Sequence, residues 1–557
     1  MPGTPSPLDA DDPAREVASA GLGIDELRPG QEQAVAALLE GRDTLLVMPT
    51  GSGKSAVYQI AAELIPGWTV VVSPLIALQQ DQVASIEESD VGRAEAANSA
   101  MGAGRRRELF ERLRQGGLEF VLVAPEQLSN DETWSELRRA APSLFVVDEA
   151  HCISEWGHDF RPDYLRLGAV IEELGHPPVL ALTATASPVV RDEVVARLGL
   201  RDPVVVVQGF DRPNLWLEVE THREERGKRD ALVARVGDLD GTGIVYVATR
   251  RRAEELAALL EEAAGVRALA YHGGMKAKER RHNQAAFMNG EVDVMVATTA
   301  FGMGIDKPDV RYVVHYDVPE SVDAYYQEVG RAGRDGAPAL ALLLWRPEDL
   351  GLRRFFAAGG QVDTDELERV AALASAAGRP VDAGELAETA DVSPHRLELA
   401  LSRLEDAGAV DVSAQGEVDA GADGPEPAEA AREAADRQEA RRQVEQSRLE
   451  MMRAYAEARS CRRRFVLTYF GEPSPRRCGN CDVCERADGD EARTDGGRPE
   501  DAEHEWPEQS RVVHPEWGEG LVLRRDGDTI AVLFDDAGYR TLSAELVADQ
   551  ELLRPAP

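Results

Sequence analysis

The stretch Met48-Pro49-Thr50-Gly51-Ser52-Gly53-Lys54-Ser55 constrains this chain more than any other. Before it runs Thr44-Leu45-Leu46-Val47, β-branched and apolar, which reads as a buried parallel strand. After it, Ala56 to Leu64 reads as a helix. Strand, glycine-rich turn and helix is the layout of a phosphate-binding loop. Gly51 and Gly53 let backbone N–H groups curl around the β- and γ-phosphates, with Thr50 and Ser52 completing the loop. Lys54 places a positive point charge on those oxygens, and the Ser55 hydroxyl is set to ligate Mg²⁺. Met48 stands where the usual pattern has another glycine, five residues before Gly53, which points away from a GTPase or kinase-like nucleotide site.

Two further signals complete a nucleotide site. Leu27-Arg28-Pro29-Gly30-Gln31 opens a helix just upstream of the loop. A glutamine amide offers both a donor and an acceptor to the edge of adenine, so Gln31, beside Arg28, selects ATP over GTP. Leu144-Phe145-Val146-Val147 is a second buried strand, and it ends in Asp148-Glu149-Ala150-His151. Carboxylates at that position hold Mg²⁺ through water (Asp148) and polarise an attacking water (Glu149). The spacing of 94 from Lys54 to Asp148 suits one α/β domain.

Lys54-Ser55 together with Asp148-Glu149-Ala150-His151 resembles a superfamily 2 helicase. The next stretch, Cys152-Ile153-Ser154-Glu155-Trp156-Gly157-His158-Asp159-Phe160-Arg161-Pro162, resembles the aromatic-rich loop of the RecQ family of DNA helicases. In that family the loop senses single-stranded DNA and couples it to ATP hydrolysis. Trp156 and Phe160 offer stacking faces for unpaired bases, Ser154 lies in the same loop, and His158 and Arg161 offer donors. A core position for Trp156 is the competing reading. Ser73-Pro74-Leu75-Ile76-Ala77-Leu78 and Ala124-Pro125-Glu126-Gln127-Leu128 follow strands, at the carboxyl ends where ligands gather in open sheets. Leu182-Thr183-Ala184-Thr185-Ala186 resembles the motif linking ATP state to DNA state. Ile24 stands where the family stacks an aromatic on adenine, and Leu27 replaces a common Phe.

A second motor-like domain is expected from 209 to 345, after a first from 1 to 208. Strand signals end at Thr249, His272 and Thr298. The resemblance places these three against the DNA backbone; each reads equally well as a plain strand-end polar group. Phe301 to Pro308 resembles helicase motif V, with Asp306 accepting from a ribose hydroxyl. Tyr326-Gln327-Glu328-Val329-Gly330-Arg331-Ala332-Gly333-Arg334 resembles motif VI. Its two arginines, three apart, reach across a cleft toward the γ-phosphate, Arg334 as the finger and Arg331 as its helper.

Beyond the motor, residues 362–413 resemble a winged helix–turn–helix. Ser393 caps and Pro394 opens its second helix, Gly408 ends it, and Val410 to Val412 forms a wing strand. That helix carries only His395, Arg396 and Arg403 as basic contacts, so DNA binding and a purely structural role both stand. Residues 414–434 read as a flexible acidic linker. In 435–486, Cys461, Cys478, Cys481 and Cys484 follow gaps of 17, 3 and 3, a spacing that suits a closed tetrahedral Zn²⁺ site. Arg462 to Glu472 resembles the RecQ zinc module. Residues 487–510 read as a second acidic linker. Residues 511–555, short alternating strands with glycine turns, read as a small β-barrel resembling the Tudor-like barrel of UvrD/PcrA-type helicases. That likeness implies a protein partner, with RNA polymerase as the candidate.

The fold class is therefore α/β: two RecA-like parallel-sheet domains, a winged-helix-like domain, a helical zinc module and a small barrel. A net charge of −38 argues against indiscriminate adhesion to nucleic acid, although Arg105-Arg106-Arg107, Arg250-Arg251-Arg252, Lys276 to Arg281 and Arg462-Arg463-Arg464 are locally basic. Five cysteines argue against a disulfide framework. No apolar run spans a membrane and the first residues lack a signal-peptide pattern, so a cytoplasmic, nucleoid-associated monomer is expected. The resemblance implies an ATP-dependent DNA helicase using ATP, Mg²⁺ and structural Zn²⁺. It would translocate 3′ to 5′ on single-stranded DNA and unwind tailed duplex in recombination and repair. An RNA-stimulated ATPase, or a transcription-associated translocase acting through its barrel, are the alternatives.

Overall fold

The computed structural model describes residues 12–556 apart from 75, 90, 99–100, 130, 155–160, 303–304, 306, 359–361, 413–416, 421–423, 473, 476, 492–505, 508–509, 527–528, 535–536 and 551. Two parallel sheets form its centre. The first has seven strands, in spatial order Ala94–Ala97, Phe120–Val123, Thr69–Val72, Leu144–Val147, Val179–Thr183, Thr44–Val47 and Val204–Val207. Every residue of Thr44–Val47, Leu144–Val147 and Val179–Thr183 is buried, as a sheet covered on both faces by helices requires. Strand Val179–Thr183 lies between Leu144–Val147 and Thr44–Val47, with Val47 opposite Thr183 and Val147 opposite Ala181. The phosphate loop, Thr183 and Asp148 thus emerge from the carboxyl ends of three adjacent strands, where open α/β sheets bind ligands.

The second sheet has six parallel strands: Ala268–Tyr271, Val294–Ala297, Thr242–Tyr246, Val310–His315, Ala339–Trp345 and Leu215–Thr221. Its carboxyl edge carries the helix Val322–Val329 and the turn after it, which face the first sheet. The chain crosses between the sheets through residues 208–214, and Phe210 in that crossing is buried.

The winged-helix-like part holds helices Thr364–Ala377, Ala383–Ala390 and Pro394–Asp406 with a three-stranded antiparallel sheet. Ser393 accepts a hydrogen bond from the Arg396 N–H and Pro394 is the first helical residue, as the capping pattern requires. The expected linker at 414–434 is not one. Glu417–Ala420 is a strand pairing with both Val410–Val412 and Val381–Asp382, and a 30-residue helix, Pro427–Ala456, begins inside the same stretch. Ala430, Ala431 and Ala434 close the winged-helix core, while Met451, Met452 and Tyr455 join the motor and zinc-module core. Alanine among charges reads as linker by composition, yet it is also the best helix former, and small side chains suit a close helix contact.

The expected linker at 487–510 is shortened from both ends. Helix Asp482–Glu491 continues past the last cysteine, and Trp506 packs in the core of the C-terminal sheet with Val512, Val532 and Phe534. That sheet is a five-stranded antiparallel array ordered Gly538–Ser543, Thr529–Phe534, Gly518–Asp526, Arg511–His514, Arg554–Pro555. It does not hang free. The Tyr539 N–H donates to Ser447 of the long helix, and the Tyr539 ring stacks on Tyr469 of the zinc module. Among the described residues, no helix is long and apolar enough to cross a membrane.

Candidate functional site

A cleft of about 310 Å³ opens between the two sheets, lined by Thr50, Lys54, Ser55, Asp148, Glu149, Gln327, Arg331 and Arg334. The nucleotide loop turns at Gly53, whose φ of 81° lies in the left-handed region. A Cβ there would also sit 2.7 Å from the Gln31 amide nitrogen, so only glycine fits on both counts. Ser52 donates its hydroxyl to the Pro49 carbonyl at 2.6 Å, tightening the turn. Lys54 is folded back, its Nζ donating to the carbonyls of Met48 (3.0 Å) and Pro49 (3.2 Å). Burial pushes its pKa down, against the pull of Glu149 and Asp148.

Gln31 lies against the phosphate loop. It is buried, its Nε2 donates to the carbonyls of Gly53 (2.9 Å) and Ser52 (3.3 Å), and its Oε1 accepts from the Arg28 N–H at 2.9 Å. Its amide braces the phosphate loop against the start of the helix Pro29–Leu39, while the Arg28 side chain stays exposed.

Asp148 and Glu149 lie side by side at the end of Leu144–Val147. Burial and the neighbouring Glu149 charge push the Asp148 carboxyl up to about 6. Its two oxygens accept from the Gln82 side chain (2.7 Å) and the Glu149 N–H (3.0 Å). Glu149 has φ 49°, unusual for a residue with a Cβ, and such strain persists where a site holds it. Two carboxylates this close suit a cation, and Asp148 and Ser55, which line the same cleft, would hold a Mg²⁺ that answers that charge. Gln82 carries no motif signal of its own; its place one turn along the helix Ile76–Glu88 from the Ser73–Leu78 motif is the only hint.

From Glu149 a chain of contacts leaves the ATP site. His151 Nδ1 lies 3.3 Å from Glu149 Oε2 and 2.8 Å from Thr183 Oγ1. The Thr183 hydroxyl donates to the Thr185 carbonyl at 3.0 Å, and the Thr185 hydroxyl accepts from Gln327 Nε2 of the opposite domain at 3.2 Å. From that domain Arg334 reaches the phosphate loop: a Cβ on Gly51 would lie 3.5 Å from Arg334 Cδ. Arg331 sits deeper, against Gly302 and beside Tyr246. Asp306 lies outside the described residues.

The candidate DNA contacts divide. Trp156, His158 and Phe160 lie outside the described residues. Ser154 is fully buried with its hydroxyl donated to Glu193, which takes it off the surface. Arg161 donates Nη1 to the Pro74 carbonyl at 2.7 Å, tying the aromatic-rich loop's end to the Ser73–Leu78 motif. Thr249, His272 and Thr298 follow three neighbouring strands of the second sheet, Thr242–Tyr246, Ala268–Tyr271 and Val294–Ala297. Each has local work as well. Thr249 caps its helix by accepting from the Arg252 N–H, His272 Nε2 meets Glu254 at 3.1 Å, and the Thr298 carbonyl accepts from the Phe301 N–H.

The thiols of Cys461, Cys478, Cys481 and Cys484 all lie within 4.8 Å of one another. A tetrahedral Zn²⁺ with Zn–S near 2.3 Å needs sulfur pairs about 3.8 Å apart, so the four fit the ion with no open position. Around them, Arg462 forks onto Asp482 (2.5 and 3.0 Å) and donates to the Tyr455 carbonyl at 2.8 Å. Cys481 bridges Leu217, which seats the metal module on the edge strand Leu215–Thr221 of the second sheet.

Family models match three stretches: DEAD/DEAH box helicase at 28–193, helicase conserved C-terminal domain at 227–336, and RecQ zinc-binding at 427–485. The chain is 41% identical over 349 residues to the probable ATP-dependent DNA helicase RecS of Bacillus subtilis, covering 63% of this chain and 70% of that protein. The chain belongs to the RecQ family of helicases. It is 34% identical over 471 residues to ATP-dependent DNA helicase RecQ of Pasteurella multocida, covering 85% of this chain but 62% of the relative's length. Among solved structures, the DUF1998 helicase MrfA bound to DNA shares the fold with a TM-score of 0.52 at 18% identity, over 77% of this chain and 64% of that one. The RecQ zinc-binding match and the Cys₄ cluster coincide, so the four expected ligands fall in the RecQ-type metal module.

Proposed function

We propose that this RecQ-family chain is an ATP-driven DNA helicase that moves along one strand and separates tailed duplex. The observation that carries the reading is Arg334 of one domain lying over Gly51 of the other, with Asp148 and Glu149 in the same cleft. Lys54 and Arg334 approach the terminal phosphate from opposite domains, so hydrolysis requires closure. Ser55 and Asp148 would hold a Mg²⁺, which would supply neutralisation of phosphate charge. Glu149 orients the attacking water, and Arg334 stabilises charge developing on the transferred phosphoryl group. Loss of that group removes the reason for closure, and the route Glu149–His151–Thr183–Thr185–Gln327 carries the change to the interdomain face. Alternating grip by the two domains then advances the motor.

The direction is 3′ to 5′ and the substrate is DNA, by family membership. The protein acts as a monomer in the cytoplasm, with Thr249, His272, Thr298, Trp156, His158, Phe160 and Arg161 contacting the DNA and Asp306 accepting from the ribose. A partner such as RNA polymerase at the C-terminal sheet remains a separate reading, since Tyr539 docks that sheet on the motor itself.

The test is unwinding of 3′-tailed and 5′-tailed DNA duplexes, with ATP hydrolysis measured with DNA and with RNA. Wild type unwinds the 3′-tailed substrate and is stimulated by DNA; Lys54→Ala loses both activities. Stimulation by RNA alone would sink the DNA reading.

A further inference from the structure

The turn that carries both motif VI arginines is not held by its own domain's sheet alone. It is gripped by the interdomain crossing. The last carbonyls of the helix Val322–Val329 are taken by the N–H groups of Gly330, Arg331 and Ala332, and the carbonyls of the turn beyond it draw a side-chain donor instead. Arg212 supplies one. Its Nη1 donates to the Gly330 carbonyl at 3.3 Å, and its Nη2 to the carbonyls of Ala332 (2.9 Å) and Gly333 (3.0 Å). Asn214 adds bonds from Nδ2 to Gly333 O (2.8 Å) and Ala337 O (2.9 Å). Gly333 has φ 58°, and a Cβ there would meet Asn214 Nδ2 at 2.4 Å, so the grip and the glycine require each other. A cation at a helix carboxyl end also meets the negative end of the helix dipole.

The crossing is itself clamped. The Phe210 ring stacks on Phe470 of the zinc module at 4.4 Å and 6°, and the Phe210 carbonyl accepts from the Tyr326 hydroxyl at 2.8 Å. Asn480, between two zinc ligands, donates to the carbonyls of Pro213 (2.9 Å) and Leu215 (3.0 Å), and Arg463 donates to Leu215 O at 2.6 Å. On the first domain's side, a Cβ on Gly30, beside Gln31, would lie 3.1 Å from Gln208 Oε1. The Arg212 guanidinium is half-buried, with Tyr326 and the like charge of Arg28 facing it.

We propose that Arg212 is a positioning residue for ATP hydrolysis: its guanidinium fixes the 330–333 turn so that Arg334 reaches the γ-phosphate on closure. The inference rests on the helicase reading and deepens it, by making the crossing and the zinc module behind it the mount of the arginine finger. Arg212 touches no nucleotide itself. Its loss therefore changes turnover and leaves ATP affinity nearly intact.

The experiment measures DNA-stimulated ATP hydrolysis of the full chain at saturating single-stranded DNA for wild type, Arg212→Ala, Arg212→Lys, Arg334→Ala and the double variants. A displaced finger costs about 10- to 100-fold in kcat, with KM for ATP within about 3-fold of wild type. Arg212→Lys reaches only part of the carbonyl set and recovers part of kcat. Adding either Arg212 substitution to Arg334→Ala costs nothing further, because residues acting through one group are not additive. Arg212→Ala with kcat near wild type, or additive losses in the double variants, overturns the proposal. Should Arg212→Ala fail to fold, Arg212→Lys and its double variant decide the same question. Wild type without DNA-stimulated hydrolysis sinks the helicase reading and this inference with it; stimulated wild type matched by Arg212→Ala sinks this inference alone.

Discussion

Tyr539 of the C-terminal sheet stacks on Tyr469 of the zinc module, ring centroids 5.6 Å apart, at the meeting point of four parts of the chain. The Tyr469 hydroxyl donates to Asp323 at the start of the motif VI helix, and the Tyr539 hydroxyl lies beside Tyr469 and Ser187 of the first domain. A residue expected to belong to an appended partner module is instead a buried pin between both motor domains, the zinc module and the long helix.

Removing that pin frees the C-terminal sheet. Tyr539→Ala leaves a cavity where a large ring was buried, a loss of about 3–5 kcal/mol of docking free energy. Limited proteolysis then cuts rapidly between 487 and 510 and releases the sheet, while Tyr539→Phe stays largely protected. Equal cleavage rates for wild type and Tyr539→Ala would show that the sheet is not held there.

The buried carboxylate pair makes the ligand-free protein pH-sensitive. Asp148 is pushed up to about 6 in the folded chain, above the ordinary carboxylate range, mainly by burial and then by Glu149. The folded state therefore binds a proton that the unfolded state releases at that pH. Its contribution to stability is fully present below the unfolded pKa and is lost as pH rises through about 6. In EDTA, Asp148→Asn raises stability at pH 8 by about 1–3 kcal/mol and has little effect at pH 4. Chemical denaturation at the two pH values reads this directly, and a gain of equal size at both refutes it.

Zinc removal acts at a distance. The Cys₄ cluster seats on Leu217 and Asn480 holds the crossing, so chelation loosens the mount of the 330–333 turn. Cys478→Ala is expected to lose bound zinc and most DNA-stimulated ATP hydrolysis, with the first domain still folded and still binding nucleotide. Zinc analysis beside nucleotide titration tests this; full hydrolysis by a zinc-free variant contradicts it.

The winged-helix-like part is expected to be a poor DNA reader. Residues 362–420 carry fourteen acidic side chains against four arginines. Of the two arginines on its second helix, Arg396 forks onto Glu366 (2.6 to 3.1 Å), and Arg403 lies near Glu445 of the long helix. Arg396→Ala is expected to change DNA affinity less than about 2-fold and to leave the salt slope unaltered, where loss of a phosphate contact lowers that slope by about 1. A clear drop in slope would restore the DNA-reading role.

Some of this molecule is legible from local sequence. The strands Thr44–Val47 and Leu144–Val147, the cap at Ser393 and the cysteine spacing follow from short-range chemistry, and the structure places them as read. Those features depend on backbone geometry within a few residues, which sequence encodes directly. What only the tertiary structure decided is long-range. Gln31 spends its amide on the phosphate loop, Ser154 is buried against Glu193, and an alanine-rich acidic stretch becomes a spanning helix because it has two cores to cover. Arg212 meets the 330–333 turn across about 120 residues, and Tyr539 meets Ser447 across 92. A lone arginine or tyrosine carries no mark of its partner; packing supplies it, because a buried polar group must find whichever donor or acceptor the fold brings within reach.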